Sequence, residues 1–167
     1  MASGDTLCVF TALCNEPPAS AAATLDERNA HLVLDFDGAS DEEAVFSGVM
    51  PANYSAATGL TVIIHCAFTS ATSGSVRWQA AFERIDTSSL DIDADSFASF
   101  QSGGGSAPGT SGQVIAVSIA LTAGAQVDSL VAGEAFRLKI RRDADGTSGT
   151  DDITTDAELL AVHVKDT

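Results

Sequence analysis

Apolar and polar residues alternate along most of this chain. Leu32, Leu34 and Phe36 are separated by Val33 and Asp35, and Val62, Ile64, Cys66 and Phe68 by Ile63, His65 and Ala67. The pattern is clearest from Ser75 to Ile85, with Val76, Trp78, Ala80 and Phe82 on one side and Arg77, Gln79, Ala81 and Glu83 on the other. Successive side chains of a strand point to opposite faces, so a period of two predicts strands with one side on a core and one on water or a neighbour. The same spacing groups Ile115, Val117, Ile119 and Leu121, then Phe136, Leu138 and Ile140, then Leu160, Val162 and Val164. A shorter strand around 44–50 ends at Pro51.

Turn formers separate these runs: AATG at 56–59, SATSG at 70–74, SGGGSAPGTSG at 102–112 and DADGTSGTDD at 143–152. Each reads as a loop, flexible at Gly103, Gly104 and Gly105. Short helices fit at 93–100 and 126–131, and no longer one is supported. The expected fold is all-β, an antiparallel β-sandwich of about seven or eight strands, of jelly-roll and not immunoglobulin type because the paired cysteines are missing. Residues 1–30 break the pattern. Pro17 and Pro18 are adjacent, small residues follow, and Leu25 is the one large apolar side chain between Ala19 and Ala30. An extended N-terminal arm over 1–30, followed by the sandwich over 31–167, is therefore expected.

Charge narrows the partners. Among 167 residues, 23 acids face 8 Lys and Arg, a formal charge of -15. Such a surface repels phosphate backbones and anionic lipid heads, so neither nucleic acid nor membrane is an expected partner. Met1 to Gly4 carry no positive region of the secretory type, and no apolar run reaches membrane-spanning length. Cys8, Cys14 and Cys66 show no metal-ligand spacing and read as buried free thiols of a reducing compartment.

No catalytic motif stands out. His31, His65 and His163 lie on three separate predicted strands, without a local nucleophile and orienting partner, so no enzyme, catalytic residue or cofactor is expected. Acidic groups occur at Asp91, Asp93 and Asp95, and at Asp143, Asp145, Asp151 and Asp152. Counted from Asp143, the positions where a calcium-binding EF-hand needs Gly and Glu hold Ser148 and Thr154. A looser sandwich calcium site stays open at these loops. The informative cluster is basic: Arg137, Lys139, Arg141 and Arg142 lie within six positions. Arg137, Lys139 and Arg141 alternate with Phe136, Leu138 and Ile140 and form a positive stripe facing away from the core. That stripe is either neutralised by acids of adjacent strands or recognises an acidic surface, such as another copy of the chain.

The order of several segments carries a resemblance. LDFDGASDEEAVFSGVMPANY, GLTVIIHCAFTSATSGSVRWQAAFERID, DIDADSFASFQ, GEAFRLKIRRDADG and DAELLAVHVKDT together resemble a family of small β-sandwich proteins of tailed-phage and environmental phage genomes. The resemblance spans 31–167, with Met50-Pro51, Asn53-Tyr54 and Phe82-Glu83-Arg84 as its most recognisable points. It implies a non-enzymatic virion structural protein of the capsid decoration (cement) type, made in the host cytoplasm and carried on the capsid exterior. The implied partners are the major capsid protein and further copies of the chain, in a homotrimer. The alternative is a head- or tail-fibre module binding host-surface carbohydrate. Sugar binding favours exposed aromatic platforms, and with Trp78 on the apolar face Tyr54 is the best candidate.

Overall fold

The computed structural model describes residues 4–167. The alternating segments are strands: β1 (Thr6–Thr11), β2 (Thr24–Arg28), β3 (His31–Phe36), β4 (Glu42–Val49), β5 (Leu60–Phe68), β6 (Ser75–Ile85), β7 (Gln101–Ser106), β8 (Ile115–Leu121), β9 (Ala135–Arg142) and β10 (Ala157–Asp166). All pair antiparallel, in two sheets. One has the order β2-β3-β10-β5-β8 with β1 also paired to β10, and the other the order β4-β9-β6-β7. The result is an antiparallel β-sandwich of jelly-roll type, as the periodicity predicts.

Most inward faces are those read from the alternation, but Leu32 is 41% exposed, and Leu160 leaves the row of Val162 and Val164 because the register shifts between Leu159 and Ala161 and puts Leu159 in the core. Phe36, Val62, Ile64, Val76, Trp78, Phe82, Ile119, Phe136, Leu138, Ile140 and Val162 are all buried in one cluster. Phe36 meets Trp78 edge-on at 4.8 Å between centroids, and Phe82 packs on Phe136 at 5.5 Å. A fully buried large apolar side chain contributes roughly 1.5–3 kcal/mol, so these rows dominate the stability of both sheets.

The expected arm is instead part of the sandwich. Within it β1 pairs with the C-terminal strand, Val9 opposite His163 and Phe10 opposite Val162, and β2 pairs with β3. The chain between them seals the outer edge of β4: Glu16 N–H donates to Val45 O at 2.7 Å, Glu43 N–H to Ala21 O at 2.7 Å and Ala23 N–H to Glu43 O at 3.0 Å. Phe10, Ala12 and Ala23 reach the core. Pro17 and Pro18 fall in the crossing outside the named strands, where no ladder donor is required. Residues 1–3 lie outside the described residues.

A second correction concerns the glycine run, which is the edge strand β7 and not a flexible loop. It pairs with β6 from Ser75 opposite Ser106 to Ala80 opposite Gln101. A Cβ at Gly103 would stand 2.4 Å from Ser118 O and one at Gly105 2.6 Å from Val117 Cγ2, so contact with β8 demands both glycines. Of the expected helices, 93–100 is absent and 126–131 holds only a 3₁₀ turn at Ala125–Val127.

Candidate functional site

The stripe does face away from the core. Its charges, however, are answered within the subunit. Arg137 meets Glu83 at 2.8 Å, Lys139 meets Glu43 at 2.9 Å and Arg141 meets Asp41 at 3.6 Å, while Arg141 Nε also donates to Gln79 at 2.6 Å. The segment at 86–100 then straps the face. Ala98 N–H donates to Phe82 O, Phe97 lies under Arg137 and Lys139 at 5.0 and 4.6 Å, and Phe100 under Arg141 at 4.3 Å. This covering explains why Gln79, Ala81 and Glu83 on the outward side of β6 are buried. Burial pushes the Glu83 carboxyl above its ordinary value, although Arg137 pulls it down. The three residues expected to recognise another subunit are thus committed at home, because β4 and β6 place acids on either side of β9.

The fourth basic residue behaves differently. Arg142 ends β9 pointing inward, fully buried, with both Asp151 oxygens on its Nε and Nη2 at 3.0 and 2.9 Å. Its other donors reach the carbonyls of Phe36, Thr155 and Ile153. A buried guanidinium needs its donors satisfied, and here the acceptors are the last carbonyl of β3 and the loop at 151–155, which it ties to β9.

The histidines divide into a pair and a single. His65 and His163 stack on the outer face of the six-stranded sheet at 6.3 Å between centroids, and Thr6 Oγ1 lies 2.7 Å from His163 Nε2. Burial, then Lys165 and His65, hold His163 below its ordinary pKa. No ion pair to either imidazole occurs among the described residues, so the orienting carboxylate of a nucleophile–base arrangement is missing. Of the cysteines, Cys66 is buried, its thiol pushed up to about 12 chiefly by burial, Cys8 is half-buried and Cys14 is exposed. The buried reading therefore fits Cys66 alone in full. Tyr54, the expected sugar platform, is also buried, with its hydroxyl donating to Thr58 O.

The acidic loops separate. Asp151 and Asp152 hold Arg142 and the Ser75 N–H, whereas Asp143 and Asp145 converge with Asp41, ligand atoms within 4.8 Å of one another. Asp143 is buried, which works against its charge, yet Ser148 and Thr147 donate to it and hold its pKa below the ordinary value. Its oxygens are thus engaged by the loop itself.

Arg28 and Glu158, which the pattern did not single out, line a partly apolar concavity. β2 and β3 join through Asn29 and Ala30, both with positive φ (47° and 63°), the geometry of a two-residue hairpin turn. Before the turn stands Arg28, bonded to Glu158 and, at 2.9 Å, to Phe68 O. Beside them opens a pocket of about 340 Å³ with Val33, Val114 and Leu160 as its apolar part and Arg28, Asn29, His31 and Glu158 as its polar part. Asn-Ala in place of Asn-Gly hid the turn; the signal available in sequence was His31 at the mouth of a strand.

No protein-family model matches this chain, and no curated protein matches it. Solved structures do. The CBM22-1 xylan-binding domain from Paenibacillus barcinonensis Xyn10C aligns with a TM-score of 0.52 at 10% identity, over 99% of this chain and 97% of that one. The CBM22-1–GH10 modules of Clostridium thermocellum Xyn10B complexed with xylohexaose align with a TM-score of 0.54 at 11% identity, over 99% of this chain and 29% of that one. At these identities the likeness is one of fold.

Proposed function

We propose that this chain is a non-catalytic carbohydrate-binding sandwich, mounted on a phage head or tail fibre and directed at host-surface sugar. The hairpin pocket carries the reading. It joins an apolar wall, suited to the C–H face of a sugar ring, to a guanidinium, an amide, an imidazole and a carboxylate that can donate to and accept from hydroxyls. The fold is that of a domain described as xylan-binding, which makes saccharides the first ligand class to test and assigns no residue. The decoration role rested on the sequence resemblance; the arm that would serve it and the stripe that could meet a neighbour are paired within the subunit.

With Trp78 and Tyr54 buried, no stacking platform reinforces the pocket, so binding is expected to be weak, with Kd about 1 mM for short oligosaccharides. A glycan array followed by titration of the best neutral ligand tests this. His31→Ala and Val114→Asp should each weaken binding about tenfold, equivalent to ~1.4 kcal/mol, without moving the melting temperature. Absence of binding to any neutral oligosaccharide at tens of millimolar, or binding indifferent to both changes, overturns the reading. Copy number on purified particles separates a fibre module, with few copies, from a cement protein.

A further inference from the structure

One arginine is left over. β6 turns Arg77 outward, opposite Gly104 of β7. Among the described residues, Arg77 and Lys165 are the two basic side chains without an ion pair, in a chain where acids outnumber bases 23 to 8. Arg77 Nη2 donates to Ser102 Oγ at 2.7 Å, Nε is buried without an acceptor, and Nη1 donates to no protein atom among the described residues. The adjacent carboxylate, Asp151, is engaged by Arg142 and by the Arg77 backbone N–H.

The guanidinium is held between two glycines. A Cβ at Gly149 would stand 2.7 Å from Nε and one at Gly104 3.3 Å from Nη1. Gly103 and Gly105 are required by β8, but Gly104 meets only Arg77 and the Val76 carbonyl. Its missing side chain leaves the guanidinium open to a cavity of about 270 Å³ walled by Ser75, Ser106 and Thr150. A planar guanidinium with a free donor edge matches a carboxylate, and the surrounding hydroxyls match a hydroxylated ligand.

We propose that this pocket binds the carboxylate of a uronic acid residue in an acidic saccharide, with Arg77 taking the carboxylate and Ser75, Ser106 and Thr150 the ring hydroxyls. The wall favours a saccharide over an added peptide strand, since it offers hydroxyls and glycine backbone while Val76, its one apolar member, is buried and gives no notch for side chains. The assignment shares only its ligand class with the carbohydrate reading above. The pocket lies on the four-stranded sheet and the hairpin pocket on the other, so the two fail separately: neutral sugars report on His31 and uronates on Arg77.

The test is calorimetric titration of the whole chain with oligogalacturonate, its carboxyl-reduced neutral counterpart, acetate and an extended acidic peptide. The uronate should bind tightest. Arg77→Gln should weaken it about ten- to a hundred-fold, the loss expected for a charge-assisted contact. Gly104→Asp should do the same by placing its own carboxylate on the guanidinium, and circular dichroism should show the wild-type fold in both variants. Uronate binding that survives both changes, or that is no tighter than acetate or the reduced chain, overturns the proposal. Arg77-dependent binding of the peptide alone also overturns it and gives the β7 edge to strand addition.

Discussion

Arg142 and Arg77 stand at the same end of the four-stranded sheet, both in contact with Asp151, and their surroundings are opposite. Arg142 takes both carboxylate oxygens and three backbone carbonyls and has no exposed surface. Arg77 meets Asp151 only through its backbone N–H and keeps an unpaired guanidinium edge toward a cavity. Residue type and neighbouring charge are the same in the two places. Saturation is what differs, and it separates an arginine that holds the fold from one that is available to a ligand.

The largest effect should come from the saturated side. Arg142→Met would leave the Asp151 carboxylate buried without its partner and release the loops around Thr155 and Ile153, costing about 3–5 kcal/mol. Urea denaturation measures this. Combining Arg142→Met with Asp151→Leu should recover a good part of the loss, since no charge then stays buried alone. A loss under about 1 kcal/mol for the single change would show that Arg142 is not the structural member of the pair.

The stripe provides an intermediate case, because its cations are saturated but part-exposed. Replacing Arg137, Lys139 and Arg141 together by Gln should lower stability by about 1–3 kcal/mol, from exposed pairs of 0–1 kcal/mol each and cation–π contacts of similar size. The loss should shrink as salt is raised, and it should appear in the isolated subunit. Loss of particle attachment with unchanged subunit stability would instead restore the reading in which the stripe serves a neighbour.

How much of this was legible in the sequence depends on how local each cause is. Alternation is local, so the inward rows of β5, β6, β8 and β9, and the outward orientation of Arg137, Lys139 and Arg141, follow from spacing alone, whereas the irregularity between Leu159 and Ala161 turns Leu160 out of the row that Val162 and Val164 keep. Pairing is not local. β1 was hidden because its partner is the opposite end of the chain, and β7 because its glycines are dictated by Val117 and Ser118 of another strand. The same holds for charge: that Glu83 and Glu43 neutralise the stripe, and that Asp151 goes to Arg142, depends on strand order. The hairpin pocket and the Arg77 cavity could not be read in advance for that reason, since an unpaired residue is recognisable only after every pairing is known.

Among the described residues Asp35 is the acidic counterpart of Arg77, a carboxyl without an ion pair. Burial first, then the charges of Asp26, Glu158 and Asp156, raise its pKa from 3.8 to about 6. A raised carboxyl pKa means that the folded chain binds more protons than the unfolded one between these values. Its contribution is full below pH 3.8 and is lost as pH rises through about 6. Stability measured across this window should therefore fall toward neutrality from this source. Asp35→Asn should remove that slope, and a slope identical in the variant would show that Asp26 keeps Asp35 from titrating in this range.

The smallest effect on stability is expected at Arg77. Arg77→Gln removes one hydrogen bond to Ser102, worth about 1 kcal/mol, and also removes a buried Nε that has no acceptor, a defect of roughly similar cost. The two terms oppose each other, so stability should stay within about 0.5 kcal/mol of wild type. Arg142→Gln, made in parallel, exchanges the same chemical groups in a saturated setting and should cost several times more. If both glutamine variants lost equal stability, Arg77 would be holding the sheet as Arg142 does, and the distinction between a fold arginine and a ligand arginine would not survive.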